Sequence, residues 1–128
     1  KMKLLDNNRI NSQVKVSKPK VTLAYDLKAL WDTGSVGTVI DEKIANHIGL
    51  NKTGVKQKIS SLHKDDECDI CQVELLLDGH SKTVTIEAII MDLSLKKCDI
   101  LIGMNVIKNG EFIFKSPNNF EFNILSLK

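Results

Sequence analysis

Short apolar runs separated by polar turns recur along most of the chain, and this pattern is typical of β-strands. Residues 20–24 and 27–31 are two such runs, and Tyr25-Asp26 between them predicts a tight hairpin connection. Four apolar residues of these runs are expected in the core: Val21, Leu23, Leu27 and Leu30. Further strands are predicted at residues 73–77, 84–91, 98–102, 112–114 and 120–125. The pattern therefore predicts a mostly β protein.

One stretch departs from this pattern and predicts a helix from Asp41 to Ile48. Apolar residues recur four positions apart at Ile40, Ile44 and Ile48, which places them on one helix face. Asp41 suits the N-cap, where its carboxylate can accept a hydrogen bond from a backbone N–H of the first turn. Gly49 suits the C-terminal end, where a left-handed backbone is common.

The first 19 residues are mostly polar, and we predict that they form an N-terminal arm or linker ending at Pro19. Val14 and Val16 alternate with polar neighbours, so a short edge strand is the alternative for this segment. Residues 20–128 are predicted to form a single domain. The length of 128 residues and the hydrophobic content of 42% are sufficient for one core.

Charge and composition exclude several classes of function. The net charge is +2 with acids and bases interspersed, which argues against nucleic acid or a polybasic membrane surface as partner. No apolar run approaches the roughly 20 residues that span a bilayer. No charged-then-apolar leader opens the chain, so we expect no signal peptide. Three cysteines, an odd number, favour a reducing compartment, and a cytoplasmic location is expected.

The main candidate for chemistry is an acid that directly follows an apolar run, in Ala29-Leu30-Trp31-Asp32-Thr33-Gly34-Ser35. Aspartate is depleted in strands and is rarely buried without a partner. The glycine that follows permits close approach of another backbone segment. This combination predicts a carboxylate held rigidly at the floor of a cleft. The alternative is a capping or turn aspartate at the end of a strand.

Two segments of the chain share a plan. Residues 30–34 and residues 100–103 are each an apolar strand ending in glycine, followed by an apolar pair and a helical turn. The second helix is predicted at residues 104–108 and is the shorter one. Only the first segment carries an acid before its glycine. The repeat is either chance similarity between buried strands or the mark of a two-fold pseudo-symmetric barrel.

These residues resemble the retropepsin-like aspartic proteases. Residues 29–35 are similar to the family's apolar-apolar-Asp-Thr/Ser-Gly-Ala/Ser signature, and Thr38-Val39-Ile40 to the strand that follows it. Residues 100–105, Ile-Leu-Ile-Gly-Met-Asn, are similar to the family's second glycine element. The resemblance covers roughly residues 20–125. It implies a mostly β, closed barrel-like half of an acid protease, with one clear helix and a short second helix.

The resemblance implies an aspartic endopeptidase that hydrolyses protein or peptide substrates without a metal or other cofactor. Because the chain carries a single Asp-Thr-Gly, it implies a homodimer in which the two Asp32 carboxylates meet and share one proton. The neighbours are expected to support the site. Thr33 would hydrogen-bond across the dimer, Gly34 would turn its N–H toward the carboxylates, and Ser35 would support the outer carboxylate oxygen.

The sequence departs from the family in the segment expected to cover the substrate. Family members close over substrate with a glycine-tipped hairpin, the flap, which by order falls at residues 56–71 here. That stretch contains no glycine and is highly charged at residues 63–67. Ile59 and Leu62 are the residues predicted to face substrate. A glycine-free flap keeps an alternative open, a non-catalytic module for dimerisation or for binding extended peptides.

The cysteines suggest a third interpretation of the chain, a small domain stabilised by zinc. Cys68 and Cys71, together with Cys98 and a histidine at His63 or His80, could form a zinc site, or two of them a disulfide. A single closely spaced pair is a weak signal, because structural zinc sites usually show two spaced pairs of ligands. The simplest expectation is buried thiols and no metal.

Overall fold

The computed structural model describes residues 9–60, 65–76, 83–116 and 119–124. The first six strands along the chain are β1 Ile10–Ser17, β2 Ala24–Trp31, β3 Thr38–Asp41, β4 Lys52–Ser60, β5 Asp65–Leu76 and β6 Thr83–Met91. The last three are β7 Ile100–Ile102, β8 Gly110–Ser116 and β9 Asn119–Ile124. The helices are α1 Glu42–Ile48, α2 Met104–Ile107 and a short 3-10 helix at Ser94–Lys96. The predicted fold class, mostly β with one clear helix and a short second one, is confirmed.

Six of the strands close into a barrel in the order β1-β2-β7-β3-β6-β5, with β5 pairing back onto β1. The β2–β7 and β3–β6 pairs are parallel, and the other pairs of the ring are antiparallel. The N-terminal half of β5 extends beyond β1 and pairs with β4 instead. The β4–β5 hairpin therefore projects from the ring, and β8 and β9 form a separate two-stranded sheet.

The barrel encloses an aliphatic core. Side chains alternate across each strand, so that Val14 and Val16 on β1 and Ala29 on β2 point inward. Ile100 and Ile102 of β7 are fully buried beside them. A second, smaller cluster lies on the outer face of the same strands and contains Leu30, Leu93, Cys98 and Leu101. The two clusters bury β2 and β7 on both faces, which holds the end of β2 in place.

The hairpin predicted at Tyr25-Asp26 is wrong, because both residues lie inside the continuous strand β2. All eight residues of β2 pair in register with β1, and Tyr25 and Asp26 take part in that ladder. A long paired strand overrides the local turn preference of two residues. Of the four expected core residues, Leu27 and Leu30 are buried, whereas Val21 and Leu23 are 41% and 61% exposed outside the strand.

The N-terminal segment contributes to the barrel. Residues 10–17 form β1, which pairs with β2 along its whole length and with β5 at its C-terminal end. The alternation of Val14 and Val16 thus marks a strand, as the sequence allowed. The division of the chain into an arm at 1–19 and a domain at 20–128 stays a prediction.

Helix α1 is confirmed in its extent and in its caps. The Asp41 carboxylate accepts a hydrogen bond from the Lys43 N–H, and Gly49 has a left-handed backbone with φ of 80°. Ala45 and Ile48 face the core. Within the described residues, no helix is both long and apolar enough to cross a membrane.

Candidate active site

Asp32 lies directly after the last residue of β2, where that strand runs beside β7. Its backbone N–H donates to the carbonyl of Ile102 at 2.9 Å, which continues the parallel ladder by one step. Its side chain is half-buried at this edge. Because β2 is packed on both faces and Asp32 is tied to β7, the position of its Cα is fixed by the barrel.

The Asp-Thr-Gly turn fixes the carboxylate as well as the backbone. The Gly34 N–H donates to Asp32 Oδ1 at 2.8 Å, and the Ser35 N–H donates to the Asp32 carbonyl at 3.2 Å. A Cβ added at Gly34 would lie 3.1 Å from Asp32 Oδ1. This turn is of the kind that aspartate favours, with its side chain accepting from the backbone two residues on. One carboxylate oxygen is therefore held from within the chain.

The second glycine element packs directly against this turn. A Cβ added at Gly103 would lie 2.2 Å from the carbonyl oxygen of Gly37 and 2.7 Å from that of Ser35. The first N–H of α2, that of Met104, donates to the Ser35 carbonyl at 2.7 Å. The two segments that share a sequence plan are thus neighbours in space, and one of them supports the other. Glycine is required at position 103 because any side chain would meet backbone.

A buried hydrogen-bonded pair connects the same elements. The Thr38 hydroxyl donates to Asn105 Oδ1 at 2.7 Å and accepts from the Gly103 N–H at 3.2 Å. Thr38 is only 1% exposed, so these bonds satisfy a polar group that lies inside the barrel. The sequence did not identify this pair. Its one signal is a threonine at the start of an otherwise apolar strand.

Aromatic side chains fill the space behind the turn. Trp31 is buried and contacts the rings of Phe112, Phe120 and Phe122 from the β8–β9 sheet, with centroids 5.1–5.9 Å apart. Its indole N–H donates to the Ser12 hydroxyl at 2.9 Å. The large residue before the acid therefore anchors the C-terminal hairpin to the barrel.

The predicted supporting residues lie together in the turn after Asp32. Thr33 and Gly34 are exposed, which leaves them accessible to a second molecule. The Ser35 hydroxyl donates to the Gly37 carbonyl at 2.7 Å and so braces the turn in this structure. The expected roles of Thr33 across a dimer and of Ser35 at the outer carboxylate oxygen stay predictions.

The β4–β5 hairpin occupies the place predicted for the flap. Ile59 lies near the end of β4, opposite Asp66 of β5, and its side chain is half-buried. Leu62 lies outside the described residues. Asp69 forms ion pairs with Lys52 at 3.1 Å and Lys56 at 3.0 Å, and these lysines lower the pKa of its carboxyl. The assignment of Ile59 and Leu62 to substrate contacts stays a prediction.

The cysteines lie apart in the structure. Cys71 is fully buried in the main core, where desolvation raises the pKa of its thiol to about 11. Cys98 belongs to the outer cluster, and burial raises its pKa as well. No disulfide joins the three cysteines, and the described ranges contain no cluster of three metal-ligating side chains. His63 and His80 lie outside those ranges.

Solved structures of two viral proteases and of one retropepsin-like aspartic protease resemble this architecture. The EIAV protease, complexed with the inhibitor HBY-793, is 15% identical with a TM-score of 0.58, covering 84% of this chain and 92% of that one. The simian foamy virus (mac) protease is 16% identical with a TM-score of 0.52, covering 76% and 92%. A retropepsin-like aspartic protease from Rickettsia conorii is 14% identical with a TM-score of 0.53, covering 82% and 84%.

No protein-family model and no curated protein sequence matches the chain. At 14–16% identity, the likeness to solved structures establishes the fold. The chain therefore has the fold of the retropepsin-like aspartic proteases, and the resemblance seen in the sequence is confirmed at that level. The signature Asp-Thr-Gly turn lies at the end of a barrel strand in this fold.

Proposed function

We propose that this protein is an aspartic endopeptidase that acts as a homodimer on protein or peptide substrates. The observation that carries the proposal is the fixed Asp32 carboxylate. It projects from a turn braced by the Gly34 N–H and by Gly103, in a fold shared with solved proteases. A capping aspartate at a strand end would not need a second glycine element built against its turn.

The chemistry requires two such carboxylates. Hydrolysis without a metal or a covalent nucleophile needs a base to deprotonate water and an acid to polarise the scissile carbonyl. Two carboxyl groups in close proximity provide both, because like charges at that distance share a single proton. In this proposal the ionised Asp32 activates the water and the protonated one donates to the carbonyl oxygen.

The sequence supplies one of these carboxylates per chain. The chain contains a single Asp-Thr-Gly, and the matching element at Gly103 follows Ile102, which is apolar. A complete site therefore needs two copies related by a two-fold axis. Thr33 and Gly34, the residues after Asp32, are exposed, which leaves this turn accessible to a second copy of the chain.

The test compares three proteins on an octapeptide library with mass-spectrometric detection of products, from pH 4 to pH 7. Wild type is expected to cleave, and Asp32→Asn is expected to lose at least about 1,000-fold in kcat/KM, since a neutral amide cannot act as the base. Asp26→Asn is the matched control, because Asp26 is an exposed carboxylate on β2 that forms an ion pair with Lys15 of β1 at 2.8 Å. Equal cleavage by wild type and Asp32→Asn would refute the proposal.

A non-catalytic peptide-binding module is the second candidate. It is favoured by the predicted flap, residues 56–71, which lacks glycine and carries charged residues on both strands. A confirmed dimer that binds library peptides without cleaving them at any of these pH values would establish this second function and exclude the first.

A further inference from the structure

A cavity of about 340 Å³ opens directly beside the candidate catalytic aspartate. Its walls include the site residues Asp32 and Thr33 and two apolar side chains, Leu30 and Phe112. Two basic residues, Arg9 and Lys96, also line it. A side chain that entered this cavity from a peptide bound at Asp32 would therefore come close to two positively charged residues.

The barrel brings the two cations to the site from distant parts of the sequence. Ile10 pairs with Trp31 in the β1–β2 ladder, which places Arg9 next to the end of β2 and Asp32. Lys96 lies in the loop between β6 and β7, which packs on Leu30 through Leu93 and Cys98. The Arg9 guanidinium donates through Nη2 to the backbone carbonyl of Lys96, and this bond joins the residue before β1 to the loop after β6.

The cations are positioned to receive an anion other than Asp32. Among the described residues, neither Arg9 nor Lys96 forms an ion pair with Asp32, whose Oδ1 accepts from Gly34 instead. A guanidinium presents five N–H donors, more than the Lys96 carbonyl can accept. Burial raises the pKa of the nearby Cys98 thiol and the Asp99 carboxylate adds to the rise, while Arg9 and Lys96 act in the opposite direction.

We propose that this cavity selects peptide substrates with an acidic side chain close to the scissile bond, with Arg9 and Lys96 as the specificity-determining residues. The inference rests on the proposed function and names its substrate class. A glutamate fits the lining because its methylene groups can pack on Leu30 and Phe112 while its carboxylate reaches the cations. Arginine suits carboxylates in particular, because its planar fork can bind both oxygens.

The first experiment measures hydrolysis of matched octapeptides that carry glutamate, glutamine or lysine at each position within three residues of the cleaved bond. At one of these positions the kcat/KM for glutamate is expected to exceed that for glutamine by about fivefold, the size of a partly exposed ion pair. Lysine is expected to be the poorest. Because the interaction is between charges, the preference is expected to shrink at high salt.

Variants separate charge from structure. Lys96→Gln removes one charge but keeps the carbonyl that Arg9 binds, so it should fold normally and lower the glutamate preference to about twofold or less. Lys96→Glu should reverse the preference toward lysine. Lys97→Gln is the matched control, because it removes the same charge from the next residue, which is not part of the cavity wall, and should leave the preference unchanged. Arg9→Gln is expected to act in the same direction as Lys96→Gln.

A binding measurement tests the selectivity for acidic side chains independently of the proposed peptidase activity. Peptide affinity is measured on the Asp32→Asn protein, in which cleavage is not required. The inference predicts that glutamate peptides bind the Asp32→Asn protein more tightly than glutamine peptides do. It also predicts that this difference disappears in the double variant Asp32→Asn, Lys96→Gln. Both results would support selection of acidic side chains by the cavity even if wild type cleaves no peptide. Cleavage with equal preference for glutamate and glutamine overturns the inference and leaves the proposed function intact. Binding that ignores the charge of the peptide, or no binding of any peptide, also overturns the inference.

Discussion

Gly103 is the residue on which the geometry of the candidate site depends most. Its Cα lies so close to the turn after Asp32 that a side chain would overlap the carbonyl oxygens of Ser35 and Gly37. In the same segment, the Ser35 carbonyl accepts from the Met104 N–H and the Val36 carbonyl accepts from the Asn105 N–H. The absence of a side chain at one position thus lets α2 begin against the turn that holds Asp32.

Gly103→Ala is expected to destabilise the protein by about 2–3 kcal/mol or more, since backbone rather than a flexible side chain must move. Gly37→Ala is the matched control, because its Cβ would meet only the Ile89 side chain at 3.6 Å, an ordinary contact. Its expected cost is below about 1 kcal/mol. Urea unfolding of both variants measures the difference. Equal stability of the two would contradict the packing described for Gly103.

A second prediction for a single residue concerns the reactivity of the Cys71 thiol. Its pKa of about 11 reflects full burial in the core, so at pH 8 roughly one thiol in a thousand is ionised. Cys68, three residues earlier on β5, faces the other side of the sheet and is half-buried. Iodoacetamide at pH 8 should modify Cys68 well before Cys71 in the folded protein, as read by mass spectrometry. Modification of Cys71 at the rate of Cys68 would contradict the burial of this strand.

Among the elements, α1 and the loop after β6 are joined through a single carboxylate. Asp41 Oδ2 accepts from the Lys43 N–H at 3.1 Å and caps the helix, while Oδ1 accepts from the Leu93 N–H at 2.8 Å. Leu93 is buried on the outer face of β2 in the cluster with Leu30. The cap therefore also holds the loop that carries Lys96.

Asp41→Ala is expected to cost about 2 kcal/mol, more than an ordinary N-cap, because two backbone donors lose their acceptor. Glu42→Ala, which removes an exposed acid from the first turn of the same helix, should cost well under 1 kcal/mol. Thermal unfolding compares the two. If Asp41→Ala destabilised the protein no more than Glu42→Ala does, the hydrogen bond from Leu93 would contribute nothing to stability in solution.

Elements whose signals are local could be predicted from the sequence. Asp41 and Gly49 mark the ends of α1, and both caps are where the sequence places them. The Tyr25-Asp26 hairpin failed because strand pairing with β1 outweighs a two-residue turn preference. The parallel pairing of β2 with β7 joins residues about 70 positions apart, and no local pattern specifies such a contact.

The residues of the candidate site also fall into two groups, those that the sequence indicates and those that only the fold brings together. Asp32, Thr33 and Gly34 could be proposed from the sequence, because they are contiguous and together resemble the signature of the retropepsin-like family. The bond between Thr38 and Asn105 and the proximity of Arg9 and Lys96 to Asp32 arise only when the barrel closes. Single polar residues at the end of a strand or in a loop have many uses, so their partners cannot be deduced without the fold.

At the scale of the whole molecule, closure of the barrel depends on β1. This strand bridges β2 and β5 and buries Val14 and Val16 almost completely. A chain that begins at residue 18 would leave the edges of β2 and β5 unpaired and expose the core. We expect it to be unfolded or aggregated, whereas a chain that begins at residue 9 should retain the fold.

Circular dichroism spectra and the dispersion of amide chemical shifts in NMR spectra of the two truncated chains test this expectation. They also decide whether residues 1–19 are an arm, as the sequence predicts, or whether the domain begins before residue 10. A folded chain that begins at residue 18 would show that β1 is dispensable and would support the boundary at residue 19.

We expect two Asp32 carboxylates from different chains to form one catalytic site, and mixing of subunits distinguishes this arrangement from a site that is complete within one chain. Wild type and Asp32→Asn are unfolded together, refolded at constant total concentration to randomise pairing, and assayed at increasing fractions of the variant. If both carboxylates are required, activity follows the square of the wild-type fraction, about a quarter of the full rate in an equal mixture. A linear fall, to about half the rate, would mean that each chain carries a complete site and would contradict the account.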